Sequence, residues 1–133
     1  MENKLLQTLE EFVTGQEIAI GNDLVYVPDF EKACTDMFKK RVYTSAEMAY
    51  CDQFADALLR YASTWAAKEA VYKAVKQLDQ STLGWDQIEV VREKIGGKPA
   101  VNLRKEPGRF RISLSISHDG DYAWAVAFAQ IKL

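Results

Sequence analysis

The sequence has few of the features that tie a protein to a membrane, a disulfide framework or a nucleic acid. Its apolar runs are shorter than a bilayer span, and the start Met-Glu-Asn-Lys does not resemble a signal peptide. Cys34 and Cys51 form no Cys-x-x-Cys motif, and one histidine leaves too few ligands for zinc. A net charge of −2 provides no broad basic surface for nucleic acid. We therefore expect a cytoplasmic protein with reduced thiols and without membrane or nucleic-acid partners.

The residues that are present have the balance of a globular protein, with 48% apolar and 27% charged. A length of 133 residues is enough for one hydrophobic core, so we interpret residues 1–133 as a single domain. Residues 3–14 carry an approximate helical stripe that ends at Gly15. We interpret residues 1–17 as an additional N-terminal helix that docks on the body of the protein or on a neighbouring subunit.

Three further helices are predicted in the first part of the chain. Pro28 favours a helix over residues 28–38, which is followed by a basic run at 39–41. Thr44 and Glu47 have the spacing of a capping box, and this predicts the start of the next helix. A long central helix with one apolar row is predicted over residues 56–78.

The pattern then changes from helical spacing to strand spacing. Residues 88–91 and 100–103 flank a turn at residues 96–99 and together predict a hairpin. Apolar and polar residues alternate over 110–117, and a last strand is predicted over 122–129. The predicted fold class is α+β, with a small antiparallel sheet packed on the long central helix.

The stretch from Trp65 to Lys73 places an acid and a base together on the central helix. Glu69 and Lys73 are four residues apart and therefore lie on the same helix face. A carboxylate that can hold a metal would then stand beside a cation that can meet a phosphate. An ordinary surface Glu–Lys pair is the alternative, and the spacing by itself favours that alternative.

Asp23 is unusual because residues 18–25 otherwise indicate a short buried strand, interrupted at Gly21 and Asn22. Burial of an unpaired carboxylate is costly, so Asp23 should have a cation or a hydrogen-bond partner. An Asx-turn or a helix cap explains this residue as well as a metal site does. The only histidine, His118, is predicted at the end of a strand, where it is structural, exposed or a donor to an anion.

Four phrases, in this order, resemble one enzyme family. They are Ile20-Gly21-Asn22-Asp23-Leu24-Val25, Trp65-Ala66-Ala67-Lys68-Glu69-Ala70-Val71-Tyr72-Lys73, Gly97-Lys98-Pro99 and Ser115-Ile116-Ser117-His118. The chain resembles the 4′-phosphopantetheinyl transferases, in particular the short holo-acyl-carrier-protein synthases. Each phrase alone is weak, whereas the ordered set in a chain of this length is specific. The resemblance extends over about residues 18–129.

The resemblance implies an enzyme that transfers the phosphopantetheine arm of coenzyme A to a serine of an apo-acyl carrier protein, in fatty acid biosynthesis. The acceptor is a free carrier or a carrier domain of a synthase, and adenosine 3′,5′-bisphosphate is released. Asp23 and Glu69 match the family's Mg²⁺ ligands, and Lys73 matches its active-site lysine. Lys68 and His118 match positions near the cofactor phosphates. A Mg²⁺ ion held by carboxylates would neutralise the diphosphate that the serine must approach.

The chain departs from the family pattern on the central helix and just after it. Many relatives have an arginine where this chain has Thr64. Arg60 lies one helical turn earlier, and we expect it to supply the missing charge for the cofactor. The Gly-rich segment that usually follows the helix is replaced by residues 77–83, which begin with Gln77.

Two kinds of partner are implied as well. Short members of the family form homotrimers with an active site at each subunit boundary, which fits an apolar sheet face that needs cover. Acyl carrier proteins are acidic, so basic side chains on the helix predicted over residues 28–38 and in the basic run after it are the candidate docking residues. They are Lys32, Lys39, Lys40 and Arg41.

Two other functions remain open at this point. The first is a non-catalytic module that binds acyl carrier protein and has lost turnover through the departures near Thr64 and Gln77. Retention of Asp23, Glu69 and Lys73 argues against it. The second is a CoA or nucleotide pyrophosphohydrolase, which would release adenosine bisphosphate with no carrier present.

Overall fold

The structure is a computed structural model that describes residues 3–6, 17–93 and 95–132. Its strands are β1 (Ala19–Tyr26), β2 (Ile88–Val91), β3 (Ala100–Leu103), β4 (Phe110–Asp119) and β5 (Tyr122–Ile131). Its helices are α1 (Val27–Ala33), α2 (Asp36–Val42), α3 (Ser45–Asp52) and α4 (Ala57–Leu78), and a 3₁₀ turn spans Trp85–Gln87. Residues 3–6 are helical, and the rest of the predicted N-terminal helix lies outside the described residues. None of the helices in these ranges is both long enough and apolar enough to cross a membrane.

The strands form two antiparallel sheets, which confirms the predicted α+β class. β1, β5 and β4 lie side by side in that order, and β2 pairs with β3 as the predicted hairpin. The predicted interruption of the first strand at Gly21 and Asn22 is wrong. β1 stays regular because each of its residues is paired with a residue of β5.

The long helix α4 packs closely on the three-stranded sheet because the residues between them are small. The residues of β5 that face the helix are all buried alanines: Ala123, Ala125, Ala127 and Ala129. On β1, a Cβ atom at Gly21 would lie 2.1 Å from the carbonyl oxygen of Ala70. Only glycine permits this approach. The close packing brings the next inward-facing residue of β1, Asp23, beside α4.

The helix predicted over residues 28–38 is two helices, so this prediction is wrong. α1 ends at Ala33, after which Cys34 leaves the helical conformation with ψ at 63°. Thr35 then caps α2, and its hydroxyl oxygen accepts a hydrogen bond from the Phe38 amide at 3.2 Å. An N-cap residue inside the predicted segment therefore starts a new helix.

The predicted starts of α3 and α4 are confirmed. The Thr44 hydroxyl accepts a hydrogen bond from the Glu47 amide at 3.2 Å, and the Glu47 carboxylate accepts one from the Thr44 amide at 2.8 Å. This is the reciprocal capping box that the spacing predicts. α4 spans Ala57–Leu78, within a residue of the predicted range.

The face of the three-stranded sheet that points away from α4 exposes large apolar side chains. Ile20 lies opposite Phe128 and Leu24 lies opposite Trp124, and these four side chains are between 46% and 61% exposed. Together they define the outer apolar face. A contiguous exposed patch of this kind marks an interaction surface.

Candidate active site

Asp23, Glu69 and Lys73 form a cluster where β1 runs beside α4. Lys73 Nζ donates hydrogen bonds to Asp23 Oδ1 at 3.0 Å and to the backbone oxygen of Asn22 at 3.1 Å. Glu69 lies one helical turn before Lys73, and its carboxyl group is close enough to that of Asp23 for the two to interact. The Asp23 side chain is 12% exposed and that of Lys73 is 53% exposed, so the cluster opens to solvent on the lysine side.

Gln77 links β1 to α4 next to this carboxylate cluster. Its Nε2 donates hydrogen bonds to the backbone oxygen of Ile20 at 2.7 Å and to that of Lys73 at 3.1 Å. Ile20 lies three residues before Asp23 on the same strand, so these hydrogen bonds help to fix the position of β1 along α4. The segment that replaces the usual Gly-rich stretch therefore begins with a residue, Gln77, that supports the carboxylate cluster.

Proximity of the two carboxyl groups perturbs the protonation of Glu69. Burial raises the pKa of Glu69 to about 7, and the hydrogen bond to Asp23 and its negative charge add to the rise. The Lys73 ammonium opposes this rise without cancelling it. In the metal-free protein, Glu69 is therefore about half protonated near neutral pH.

This pair of carboxyl groups suits a magnesium ion whose remaining ligands come from a substrate and from water. The described ranges contain no group of three or more histidine, cysteine or carboxylate side chains arranged to hold a metal. Magnesium in phosphate-transferring sites is commonly held by one or two carboxylates, with phosphate oxygens and water as the other ligands. Asp23 and Glu69 are close enough to share a proton, and a divalent ion would relieve the same charge repulsion. These two side chains would hold the ion.

Lys68 is not part of the carboxylate cluster, and its placement contradicts the predicted contact with cofactor phosphates. Its side chain has no exposed surface, and its Nζ donates to Glu47 Oε1 at 2.7 Å and to the backbone oxygen of Ile88 at 2.5 Å. The other Glu47 oxygen accepts a hydrogen bond from the Val90 amide at 2.8 Å. Burial lowers the pKa of Lys68, and the Glu47 carboxylate opposes that lowering. The buried pair instead joins α3, α4 and β2.

A second cluster of polar side chains surrounds a cavity of about 260 Å³ between α4, β4 and the hairpin. Arg60, Arg92 and His118 all line it. Nη2 of Arg92 donates to the backbone oxygen of Arg60 at 3.2 Å and to the Thr64 hydroxyl. The same guanidinium lies 4.5 Å from the ring centroid of Tyr50. We call this group the arginine cavity.

Arg92 was missing from the sequence-based site, although the sequence contains a signal for it. Ile88 and Val90 are buried, and Arg92 continues their period of two on the same side of the hairpin. A charged residue on the inward side of a strand needs a partner or a function. Thr64, where many relatives have arginine, is the buried residue that binds this guanidinium.

The carboxylate cluster and the arginine cavity lie on opposite flanks of α4. Arg60 and Glu69 are nine residues apart, which is two and a half helical turns, so they project to opposite sides. Asp23 lies on β1 and His118 lies on β4, and β5 separates these strands. The distance across β5 is about 10 Å. Within one protomer, the predicted cofactor residues Arg60 and His118 are therefore not brought together with Asp23 and Glu69.

The predicted docking residues lie in the last turns of α1 and α2. Lys32 belongs to α1, and Lys39, Lys40 and Arg41 belong to α2. Lys32, Lys40 and Arg41 are exposed, whereas Lys39 is half-buried with its ammonium 4.4 Å from the ring centroid of Tyr61. We call these four side chains the basic patch.

Comparison with known proteins gives a consistent match in sequence. A sequence model of the 4′-phosphopantetheinyl transferase superfamily matches residues 19–127. A holo-[acyl-carrier-protein] synthase of Koribacter versatilis is 36% identical over 118 residues, which cover 81% of this chain and 94% of that protein. The match therefore spans all five strands and all four helices at least in part.

Solved structures with similar folds point in the same direction. The Chronobacterium ammoniagenes ACPS–CoA complex has a TM-score of 0.74 and 26% identity, over 89% of this chain and 100% of that chain. A holo-(acyl-carrier-protein) synthase from Bacillus anthracis in complex with CoA (3′,5′-ADP) has a TM-score of 0.70 and 27% identity, over 86% and 96%. Both are similar to this chain over most of their length.

Proposed function

The chain belongs to the 4′-phosphopantetheinyl transferase superfamily, and from this premise we propose that it makes holo-acyl carrier protein. It transfers the phosphopantetheine arm of coenzyme A to a serine of an apo-acyl carrier protein and releases adenosine 3′,5′-bisphosphate. The observation that carries the proposal is the convergence of Asp23, Glu69 and Lys73 beside α4. The names of the relatives and the CoA complexes of similar structures support it.

Asp23 and Glu69 would hold the magnesium ion that the proposed reaction uses. When bound, Mg²⁺ neutralises charge on the diphosphate of coenzyme A. The two side chains come from β1 and α4 and would each offer a carboxylate oxygen to the ion, and phosphate and water would be its other ligands. Loss of the shared proton accompanies metal binding, because a carboxylate must be ionised to act as a ligand.

Lys73 acts on the phosphate groups rather than on the serine. The step forms a bond between the carrier's serine oxygen and the phosphorus of the phosphopantetheine phosphate, and the proton of the serine hydroxyl passes to water. It breaks the bond from that phosphorus to the bridging oxygen, which leaves with its electron pair on adenosine 3′,5′-bisphosphate. The Lys73 side chain is half exposed and its ammonium lies beside Asp23, where it can donate a hydrogen bond to the oxygens that gain charge.

The active site is composite, and the protein assembles as a homotrimer. The arginine cavity of one protomer is too far around α4 to meet the carboxylate cluster of the same protomer. A second copy can present its cavity to that cluster, which gives Arg60 and His118 a place at the cofactor. The outer apolar face, which includes Leu24 and Trp124, supplies the area that a stable assembly would bury.

The basic patch docks the carrier protein. Acyl carrier proteins are acidic, and the exposed cations Lys32, Lys40 and Arg41 offer complementary charge at the C-terminal ends of α1 and α2. Such charges mainly accelerate encounter and orient the partner. Cys34 and Cys51 are both free thiols, which fits the reducing cytoplasm, where carriers of fatty acid biosynthesis act.

Mass spectrometry of a carrier protein tests the proposal. The chain is incubated with coenzyme A, Mg²⁺ and an apo-acyl carrier protein, and the carrier is weighed. We expect a mass gain of one phosphopantetheine group that depends on Mg²⁺ and disappears with EDTA. No gain on several carriers would favour a module that only binds carrier protein. Release of adenosine bisphosphate without any carrier would instead support a pyrophosphohydrolase.

A further inference from the structure

We propose that Arg92 is the residue that selects coenzyme A by its 3′-phosphate, which binds in the arginine cavity. The inference rests on the proposed function, because it concerns the donor of that reaction. Coenzyme A carries a phosphomonoester on its ribose in addition to the diphosphate. The carboxylate cluster serves the diphosphate, so a donor of this kind leaves one more anion to be recognised by other residues.

The arginine cavity has the charge and the shape for a phosphomonoester. Two guanidinium groups, of Arg60 and Arg92, and the imidazole of His118 line a space of about 260 Å³. Glu93 is the acidic residue among the described lining residues. Gly97 forms part of the rim with φ at 88°, and glycine in this conformation lets a ligand approach the backbone closely.

Arg92 is held in position before any ligand arrives. Its Nη2 donates to the Thr64 hydroxyl and to the Arg60 backbone oxygen, and its guanidinium carbon lies 4.5 Å from the centroid of the Tyr50 ring. Both acceptors are uncharged, so these hydrogen bonds fix the guanidinium without neutralising it. A guanidinium has five N–H donors, and the ones on Nη1 and Nε remain for a phosphate.

Arg92 is better suited to this selection than Arg60. Nε of Arg60 pairs with Asp56 at 3.3 Å, and its guanidinium lies 4.1 Å from the ring of Phe54. Arg60 therefore brings a partly compensated charge. Burial lowers the pKa of Arg92 because its charged form has lost contact with water. A bound anion would stabilise that charged form in place of the water.

Comparison of two donors tests this role directly. Transfer is measured with coenzyme A and with 3′-dephospho-coenzyme A, using the wild-type protein and Arg92→Gln. For the wild-type protein, the KM for coenzyme A should be markedly lower than the KM for 3′-dephospho-coenzyme A. Arg92→Gln should raise the KM for coenzyme A roughly tenfold or more, since a charge-assisted hydrogen bond is lost. Its KM for the dephospho donor should stay within about twofold of wild type, because that donor makes no such contact.

Two further variants separate a local role from a folding defect. Arg104→Gln is the matched control, because Arg104 is another hairpin arginine that pairs with Glu89 at 3.6 Å outside the cavity lining. It should leave both KM values unchanged. Thr64→Val removes the hydroxyl that holds Arg92 and should raise the KM for coenzyme A alone, by less than Arg92→Gln does. If Arg92→Gln fails to fold, the test uses Thr64→Val instead, and a rise in the KM for coenzyme A alone supports the inference.

Other outcomes would overturn the inference. Equal rises of KM for both donors, no rise at all, or a rise only in the KM for the carrier protein would each exclude selection of the 3′-phosphate by Arg92. If the wild type transfers no phosphopantetheine from either donor, the proposed function fails. Calorimetric binding of adenosine 3′,5′-bisphosphate and of AMP still decides the role of Arg92. We expect the bisphosphate to bind more tightly than AMP, and Arg92→Gln to remove that difference; an unchanged difference would contradict the inference.

Discussion

The two flanks of α4 carry opposite kinds of charge. On the β1 flank, Asp23 and Glu69 hold negative charge close together, and Lys73 offsets part of it. On the hairpin flank, Arg60 and Arg92 hold positive charge around a cavity. The first flank attracts a cation, and the second attracts an anion.

This difference explains why one helix can serve a substrate with two separated anionic groups. In the proposed reaction a metal ion between the carboxylates would meet the diphosphate, whereas the guanidinium groups would meet a phosphomonoester without a metal. The flanks face away from each other, and for this reason we propose that one bound molecule uses both where two copies of the chain meet. The proposed composite site rests on the direction in which Glu69 and Arg60 project from the same helix.

The largest expected effect comes from removing charge on the β1 flank. Glu69→Gln should lower transfer at least a hundredfold, because it removes a metal ligand while keeping the size and helix preference of the side chain. Carrier mass after a fixed time measures the loss, and the melting temperature should stay close to that of wild type. Glu31→Gln on exposed α1 is the control and should retain activity. Near-normal transfer by Glu69→Gln at low Mg²⁺ would remove Glu69 from the site.

The second effect concerns the buried pair of Lys68 and Glu47, which fastens the hairpin to α4. Lys68→Met leaves Glu47 buried without its cation and should cost roughly 3–5 kcal/mol of the free energy of unfolding. Urea denaturation measures this loss. The double variant Glu47→Gln with Lys68→Met should recover much of it, because no lone charge remains buried. A Lys68→Met protein of wild-type stability would show that the pair does not fasten the hairpin.

Mixing variants from the two flanks gives a smaller but more specific effect. Glu69→Gln and Arg92→Gln are each assayed alone and after joint refolding, at coenzyme A concentrations below the wild-type KM. When equal amounts of the two chains assemble at random, about a quarter of all subunit boundaries combine an intact carboxylate cluster with an intact arginine cavity. Activity should rise above the average of the two separate variants. No rise in a mixture shown to contain both chains would place both flanks within one protomer's site.

The smallest effect is a dependence on pH that belongs to the β1 flank alone. The pKa of Glu69 is raised to about 7, so the metal-free native state holds a proton that the unfolded state releases near pH 4.5. The contribution of Glu69 to the free energy of unfolding therefore falls as pH rises from about 4.5 to about 7. Thermal melts in EDTA across this range measure it, and Glu69→Gln should show a flatter profile. A wild-type profile as flat as the variant's would contradict the raised pKa.

The sequence was most informative where a feature is local or part of an ordered motif. The capping box of Thr44 and Glu47 depends on three-residue spacing, and the helix face shared by Glu69 and Lys73 depends on four-residue spacing. Both are properties of neighbouring residues. The proximity of Asp23 to Glu69 is not local, and it was expected only because of the ordered family phrases.

Features set by tertiary packing were harder to predict. Lys68 is adjacent to Glu69 in sequence, yet its direction on α4 sends it into the core toward Glu47, because Ile88 and Glu47 offer it oxygen partners there. Arg92 lies in a hairpin whose docking on α4 cannot be inferred from the hairpin's own sequence. The break at Thr35 was visible as an N-cap residue but was outweighed by the helical pattern around it.

The most direct test of the account is a crystal structure with coenzyme A and Mn²⁺, whose anomalous signal locates the ion. We expect the ion between the carboxylates of Asp23 and Glu69 of one subunit, in contact with the diphosphate. The 3′-phosphate of the same coenzyme A molecule should lie at Arg92 of a neighbouring subunit. An ion away from both carboxylates, or a coenzyme A molecule bound wholly on one flank of one subunit, would contradict the account.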